Sequence, residues 1–188
     1  MKVKDLFLSL SLVFVSVLVQ AENKVTFFEE HIDFNLDAEH FSINGIYSFH
    51  NTTNNTVYQH ILFPFAVKVN VIDSIRILDL NRLTEIKYNV LDSAVSFNLC
   101  LLPNDTLDIN LFYRQKTSTK NTYIITTTKY WGKPLDKAVY TLTIPKETII
   151  DSFSYAPDTM RIIPGKKLYI WDKSDFSPQL DFDVILKK

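Results

Sequence analysis

Apolar and polar residues alternate with a period of two along most of the chain after residue 24. Within 40–50, Phe41, Ile43 and Phe49 fall on one face, whereas His40 and His50 fall on the other. Successive side chains of a strand point to opposite faces, so this alternation indicates half-buried strands and no long helix. The pattern predicts strands at 25–36, 40–50, 57–65, 72–79, 82–90, 94–102, 106–116, 122–130, 138–144, 148–155, 166–171 and 179–186.

Polar turn clusters separate the predicted strands. Residues 51–56, Asn-Thr-Thr-Asn-Asn-Thr, predict a hairpin between the strands on either side, and residues 103–105, Pro-Asn-Asp, predict a second one. Many short strands with closely spaced turns are typical of an all-β fold. We therefore predict a single antiparallel β-sandwich, immunoglobulin-like or related, over residues 22–188, with a barrel as the alternative.

The first 21 residues differ from the rest. Lys2 and Lys4 precede an uncharged apolar run from Leu6 to Val19, which is shorter than the roughly 20 residues of a membrane-spanning helix. Small residues at Val19 and Ala21 complete the pattern of a helical signal peptide, residues 1–21, cleaved after Ala21. An uncleaved anchor or a buried first strand is the alternative. The sequence thus predicts a secreted or periplasmic mature chain without a membrane span.

Composition and charge exclude some classes of function. The formal net charge is −1 and basic residues are scattered, so we expect no nucleic-acid partner. Cys100 is the only cysteine, so no intrachain disulfide can form and the fold must depend on its apolar core. Aromatic residues make up 13% of the chain, which favours strands with a thick core.

A Trp-Gly-Lys-Pro break interrupts the alternation at 131–134. We interpret it as a strand connection in which Trp131 lies back over the end of the sandwich, burying roughly 150–250 Å² of ring surface. The functional alternative is a carbohydrate-binding module with exposed aromatic rings. Its candidate ligand-binding residues are Tyr123, Tyr130, Trp131 and Trp171.

Four histidines lie within thirty residues of one another, among several carboxylates. Imidazole and carboxylate groups are zinc ligands, so a metal-dependent hydrolase is a further alternative. Three of the candidate ligands share one strand face at a period of two, and a solvated polar face is the other interpretation of that pattern. The candidate metal ligands are Glu29, His31, Asp33 and, from the next strand, His40.

Templates for catalysis are not found in the sequence. It contains neither Gly-x-Ser-x-Gly nor His-Glu-x-x-His, and three glycines leave little room for a phosphate-cradling loop. We therefore predict no cofactor and favour a non-enzymatic protein. A glycosidase with paired carboxylates stays open, because it depends on a separation in space.

Four stretches carry a resemblance to known domains: GIYSFHN, VYQHILFPF, LLPNDTLDINLFY and TTTKYWGKPLDKAVYTLTIP. Their order resembles exported bacterial β-sandwich domains of unassigned function, and in outline the vault/inter-alpha-trypsin type of domain. The resemblance covers a little over half the chain. It implies a sandwich with an interaction-type role and no catalytic residues.

Together these observations predict an exported, non-enzymatic binding or structural module of the cell envelope or the extracellular space. The expected partner is another envelope or extracellular protein, with carbohydrate as the alternative. Edge strands at 57–65 or 179–186 could accept a partner strand.

Overall fold

An eight-stranded sheet forms one layer of the protein. The structure, a computed structural model, describes residues 24–187, so the predicted signal peptide lies outside the described residues. The strands are β1 (Val25–Leu36), β2 (His40–Asn51), β3 (Val57–Pro64), β4 (Ile72–Asp79), β5 (Thr84–Glu85), β6 (Tyr88–Val90), β7 (Ala94–Leu101), β8 (Thr106–Lys116), β9 (Lys120–Tyr123), β10 (Leu135–Pro145), β11 (Ile150–Phe153), β12 (Thr159–Ile163), β13 (Lys166–Phe176) and β14 (Phe182–Leu186). Short 3₁₀ helices cover Val69–Val71 and Thr126–Trp131.

The large sheet has the strand order β12-β13-β10-β1-β2-β8-β4-β5. Its strands pair antiparallel except β1 and β10, which run parallel with Ile32 opposite Tyr140. The all-β prediction is confirmed, but the prediction of a single antiparallel sandwich is not, because the large sheet is mixed and the described strands form three sheets. A parallel pair needs a long crossover, and here the chain between β1 and β10 supplies it while forming strands β2 to β9.

Two three-stranded sheets cover one face of the large sheet. Their orders are β3-β7-β6 and β11-β14-β9. On one side Phe34 of β1 stacks on Phe182 of β14, with ring centroids 4.7 Å apart, and on the other Tyr47 of β2 packs edge-on against Phe63 of β3. The second layer is thus divided in two, although its buried apolar residues form one cluster with those of the large sheet.

Both predicted hairpins are wrong, because each polar turn carries the chain from one layer to the other. β2 lies in the large sheet and β3 in a small one, and the same holds for β8 and β7. The buried Asn51 side chain fixes the first crossing. Its amide nitrogen donates to the carbonyls of Asn55 and Leu102, both at 2.7 Å, and its oxygen accepts from the Thr53 N–H at 3.0 Å.

The structure confirms most strand positions, and the errors have local causes. The strand expected at 82–90 is split into β5 and β6, and 122–130 is a strand only to Tyr123. The alternation gave no sign of β12, because all five of its residues are exposed at the sheet edge.

The two expected edge strands have different positions. β3 is an edge strand, as predicted, whereas β14 is the central strand of its sheet and cannot accept a partner strand. Among residues 24–187, no helix combines the length and the apolar character needed to cross a membrane.

Candidate ligand-binding cavity

A cavity of about 460 Å³ lies where the two small sheets meet above the large sheet. β1, β2 and Tyr123 provide its floor, β3 one wall, and the segment from Ile124 to Trp131 the opposite wall. Its lining residues are Lys24, Val25, Phe27, Glu30, Tyr47, Phe49, Gln59, His60, Ile61, Leu62, Phe63, Pro64, Tyr123, Ile124, Ile125, Thr127, Thr128, Tyr130 and Trp131.

A β-bulge at Phe28 places a carboxyl group in this cavity. Phe27 pairs with Phe49 and Glu29 pairs with Ser48, so one residue of β1 has no partner on β2. The extra residue reverses the alternation. Val25 and Phe27 face inward before the bulge, and Glu30 takes an inward position after it.

Glu30 is almost fully enclosed, with 2% of its surface exposed. Burial raises the pKa of its carboxyl to about 7, because the charged form loses its hydration. The Tyr140 hydroxyl donates a hydrogen bond to Oε1 and acts in the opposite direction by stabilising the charged form. Near neutral pH the two protonation states of Glu30 are therefore of similar free energy.

Two tyrosine hydroxyls meet beside Glu30. Tyr47 Oη and Tyr123 Oη are 2.8 Å apart, which joins β2 to β9 across the cavity floor. Burial and the nearby Glu30 carboxylate raise the pKa of both phenols, so they stay protonated hydrogen-bonding groups.

Gly45 makes room for the Tyr47 ring. A Cβ atom at this inward position would lie 2.5 Å from Tyr47 Oη and 2.7 Å from Ile32 Cδ1. The ring therefore lies back along β2 over the glycine, as its next inward neighbour on the strand.

Trp131 forms an aromatic wall with residues of the floor. Its ring packs 5.9 Å from Phe27 and 5.4 Å from Phe49, which themselves stack at 5.1 Å. Trp131 thus packs over the core, as the architectural interpretation expected, and it also lines the cavity.

Asp181 holds the wall in a 3₁₀ helix and explains why the predicted strand 122–130 ends at Tyr123. Its Oδ1 accepts hydrogen bonds from the Thr126 hydroxyl at 2.7 Å and from the N–H groups of Ile125 and Thr126. The Thr128 hydroxyl donates to the Ile125 carbonyl at 2.9 Å. Such side-chain bonds to the backbone compete with strand pairing, even in a threonine-rich segment.

Three of the four aromatic residues singled out in the sequence line this cavity. Tyr123 is buried at its floor, Trp131 is half-buried, and Tyr130 is 77% exposed. Trp171 lies elsewhere, fully buried in β13, where its indole N–H donates to the Tyr155 carbonyl at 2.9 Å. The four rings therefore do not form one exposed row.

The candidate metal ligands lie on the opposite, outer face of the large sheet. His31 lies opposite Ile46 of β2, six residues from His40, which is about 20 Å along a strand. His31 Nε2 is 3.8 Å from Asp33, and His40 Nε2 is 3.8 Å from Asp73. In the part of the chain that the structure describes, no three His, Cys, Asp or Glu side chains are grouped to hold a metal ion.

Sequence reasoning missed Glu30, Tyr47 and His60 as cavity residues. Glu30 follows directly on Glu29, and strict alternation from Val25 would place it on the outer face. One signal in the sequence could have identified it. The inward-facing residues of β1 have odd numbers before Phe28 and even numbers after it.

The chemistry of the lining suits binding. Of the described residues that line the cavity, one carries a carboxyl group, whereas hydrolysis by paired carboxylates requires two. The remaining polar groups are hydrogen-bonding groups on apolar walls, which is the usual make-up of a small-molecule site.

Known structures share this fold. No protein-family model and no curated protein matches the chain. A protein from Legionella pneumophila described as a "putative nutrient binding protein" is similar, with a TM-score of 0.68 and 15% identity over 88% of this chain and 67% of that one. An M1 zinc metallopeptidase from Deinococcus radiodurans gives a TM-score of 0.53 and 12% identity, over 86% of this chain and 42% of that one.

A protein from Parabacteroides distasonis described as a "putative protease" gives a TM-score of 0.50 and 9% identity, over 87% of this chain and 40% of that one. The chain thus spans about two thirds of the first structure and about two fifths of the other two. These structures are loosely consistent with the predicted resemblance to β-rich domains, and its exported and vault-type parts stay predictions. At these identities, the likeness is one of fold.

Proposed function

We propose that the mature chain is an exported, non-enzymatic binding module that holds a small molecule in the cavity between its two small sheets. The observation that carries the proposal is an aromatic-lined space of about 460 Å³ with Glu30 at its floor. Small-molecule sites typically enclose roughly 300–1,000 Å³, with apolar walls and a few polar groups that orient the ligand.

The comparison with the Legionella protein supports binding as the general role, since that protein is described as a nutrient binding protein. The metallopeptidase likeness covers less than half of that chain and carries no catalytic group over to this one.

A titration monitored by ¹H–¹⁵N spectra tests the proposal. Phenol, choline and glucose serve as probes for wild type, for Thr127→Trp, which fills the cavity from its wall, and for Thr84→Trp, a control on the exposed strand β5. We expect at least one probe to shift amides of the cavity lining in wild type and in the control, but not in Thr127→Trp. Shifts that survive in Thr127→Trp, or no shift with any probe, would contradict a binding cavity.

A sugar is the alternative ligand, because Tyr130 is exposed next to Trp131 on the cavity wall. Glucose would then shift the amides of these two residues more than phenol or choline does. Tyr130→Ala would abolish that effect, while Tyr58→Ala, an exposed tyrosine of β3 that does not line the cavity, would leave it unchanged.

Export and a protein partner complete the proposal. Mass spectrometry of the exported protein would show a mature chain that begins at Glu22, and a chain that keeps Met1 would argue against cleavage. The partner would add a strand to β3, the edge of its sheet, beside the cavity.

A further inference from the structure

We propose that the ligand of this cavity is an organic ammonium compound whose cationic head lies against Glu30 and among the surrounding aromatic rings. This inference rests on the proposed function and names its ligand class. The cavity combines two features that suit an organic cation, which are a carboxyl group that makes no ion pair among the described residues and a lining rich in aromatic rings.

Glu30 makes no ion pair among residues 24–187, and Lys24, a cation that lines the same cavity, is exposed to solvent. Within residues 24–187, the one group that stabilises the charged form of Glu30 is the neutral Tyr140 hydroxyl. A buried carboxylate is costly unless a cation pairs with it. A bound ammonium group would supply that partner.

Aromatic rings in the same cavity lining provide the second feature. Phe27, Tyr47 and Phe49 lie on the floor, and Trp131 packs on two of them from the wall. Cations are attracted to the faces of such rings, and tryptophan gives the strongest attraction. A neutral ligand of the same shape would make the apolar contacts, but it would form neither an ion pair with Glu30 nor a cation–π interaction with the rings.

The other titratable groups that line the cavity do not duplicate the role of Glu30. Lys24 and His60 are exposed, and the His60 ring nitrogen lies 3.1 Å from the Asn98 side-chain oxygen. Tyrosines are the remaining titratable groups near Glu30, and burial keeps the phenols packed beside it protonated. They are Tyr47 on β2, Tyr123 on β9 and Tyr140 on β10.

The test compares choline with 3,3-dimethylbutan-1-ol, which has the same shape but a carbon in place of the charged nitrogen. Calorimetric titration of wild type at pH 8 should give at least about tenfold tighter binding of choline. Glu30→Gln should remove most of this preference, and Glu29→Gln, which changes the neighbouring outward-facing carboxylate, should leave it intact.

A pH series supplies a second readout that does not depend on Glu30→Gln. Choline carries a permanent charge, so its affinity should rise between pH 6 and 8 as Glu30 loses its proton. Tyr140→Phe removes the hydrogen bond to Oε1 and should move this rise to higher pH, whereas His60→Gln should not move it.

The outcomes separate the two proposals. Equal affinity for the neutral compound, or a preference for choline that survives in Glu30→Gln, would overturn the ammonium inference and leave the binding cavity standing. If choline, its neutral counterpart, phenol and glucose all fail to bind, both proposals are wrong.

Discussion

The hydroxyl of Tyr47 on β2 lies 2.8 Å from the hydroxyl of Tyr123 on β9, and this contact ties the large sheet to one small sheet at the cavity floor. Each single change to phenylalanine leaves the other buried hydroxyl without its partner, so each should lower the free energy of unfolding by about 1 kcal/mol. The double change should lower the free energy of unfolding by about as much as one single change, because it leaves no buried hydroxyl without a partner. Urea unfolding of the four proteins measures the coupling, and simple additivity would show that the contact contributes nothing.

The raised pKa of Glu30 makes stability depend on pH. Below pH 4.5 the Glu30 carboxyl is protonated in both the folded and the unfolded chain. Between pH 4.5 and about 7 it stays protonated in the folded chain but loses its proton in the unfolded chain. Because the folded state binds more protons in this window, stability should fall as the pH rises, by about 3 kcal/mol in total.

Urea unfolding midpoints from pH 4 to 8 check this dependence. Glu30→Gln should flatten the fall, and Glu29→Gln should retain it. Asp37 and Asp158 do not interfere, since hydrogen bonds lower the pKa of both below 3.8, and their contribution is lost only in stronger acid. An unchanged slope in Glu30→Gln would mean that Glu30 is already charged in the folded protein.

Gly45→Ala tests whether the Tyr47 ring needs the space above the glycine. The new methyl group would overlap Tyr47 Oη and Ile32 Cδ1, so we expect a loss of about 2–3 kcal/mol. Gly165→Ala is the matched control: its φ of 71° is left-handed but its surroundings are open, and it should cost about 1 kcal/mol. In a Tyr47→Ala background the loss at Gly45 should shrink, and a loss that stays the same would rule out the ring as its cause.

Asp181→Ala tests what shapes the cavity wall. Three hydrogen bonds to Ile125 and Thr126 would be lost, so stability should fall by about 1–3 kcal/mol and both amides should exchange faster with solvent. Asp136→Ala removes an exposed partner of Lys133 near the same segment and should change stability by less than about 1 kcal/mol. Equal exchange rates in the two variants would show that Asp181 does not hold the wall.

Period-two alternation predicted which side chains are buried but not which sheet they enter. Phe41, Ile43, Leu107 and Ile109 are all buried on the inward faces of their strands, as the alternation indicated. Alternation cannot distinguish a hairpin from a crossing between layers, because both need a polar turn. The Asn51 contacts that decide for a crossing involve Leu102, which is 51 residues away in the chain.

The candidate site was predictable only in part for a related reason. The sequence predicted three ligand-binding residues around a turn that do line the cavity, namely Tyr123, Tyr130 and Trp131. Glu30 was overlooked because one unpaired residue, Phe28, reverses the faces of β1. The cavity itself arises from the gap between two sheets, which no local pattern encodes.

The indole N–H signals of the two tryptophans give the most direct test of a binding cavity at this position. Trp131 lines the cavity, whereas Trp171 is buried in β13 away from it and serves as an internal reference in the same spectrum. During titration with choline, phenol or glucose, the account requires the Trp131 signal to shift in a saturable manner with at least one of them while the Trp171 signal stays in place. A Trp131 signal that does not move, or two signals that move together, would contradict it.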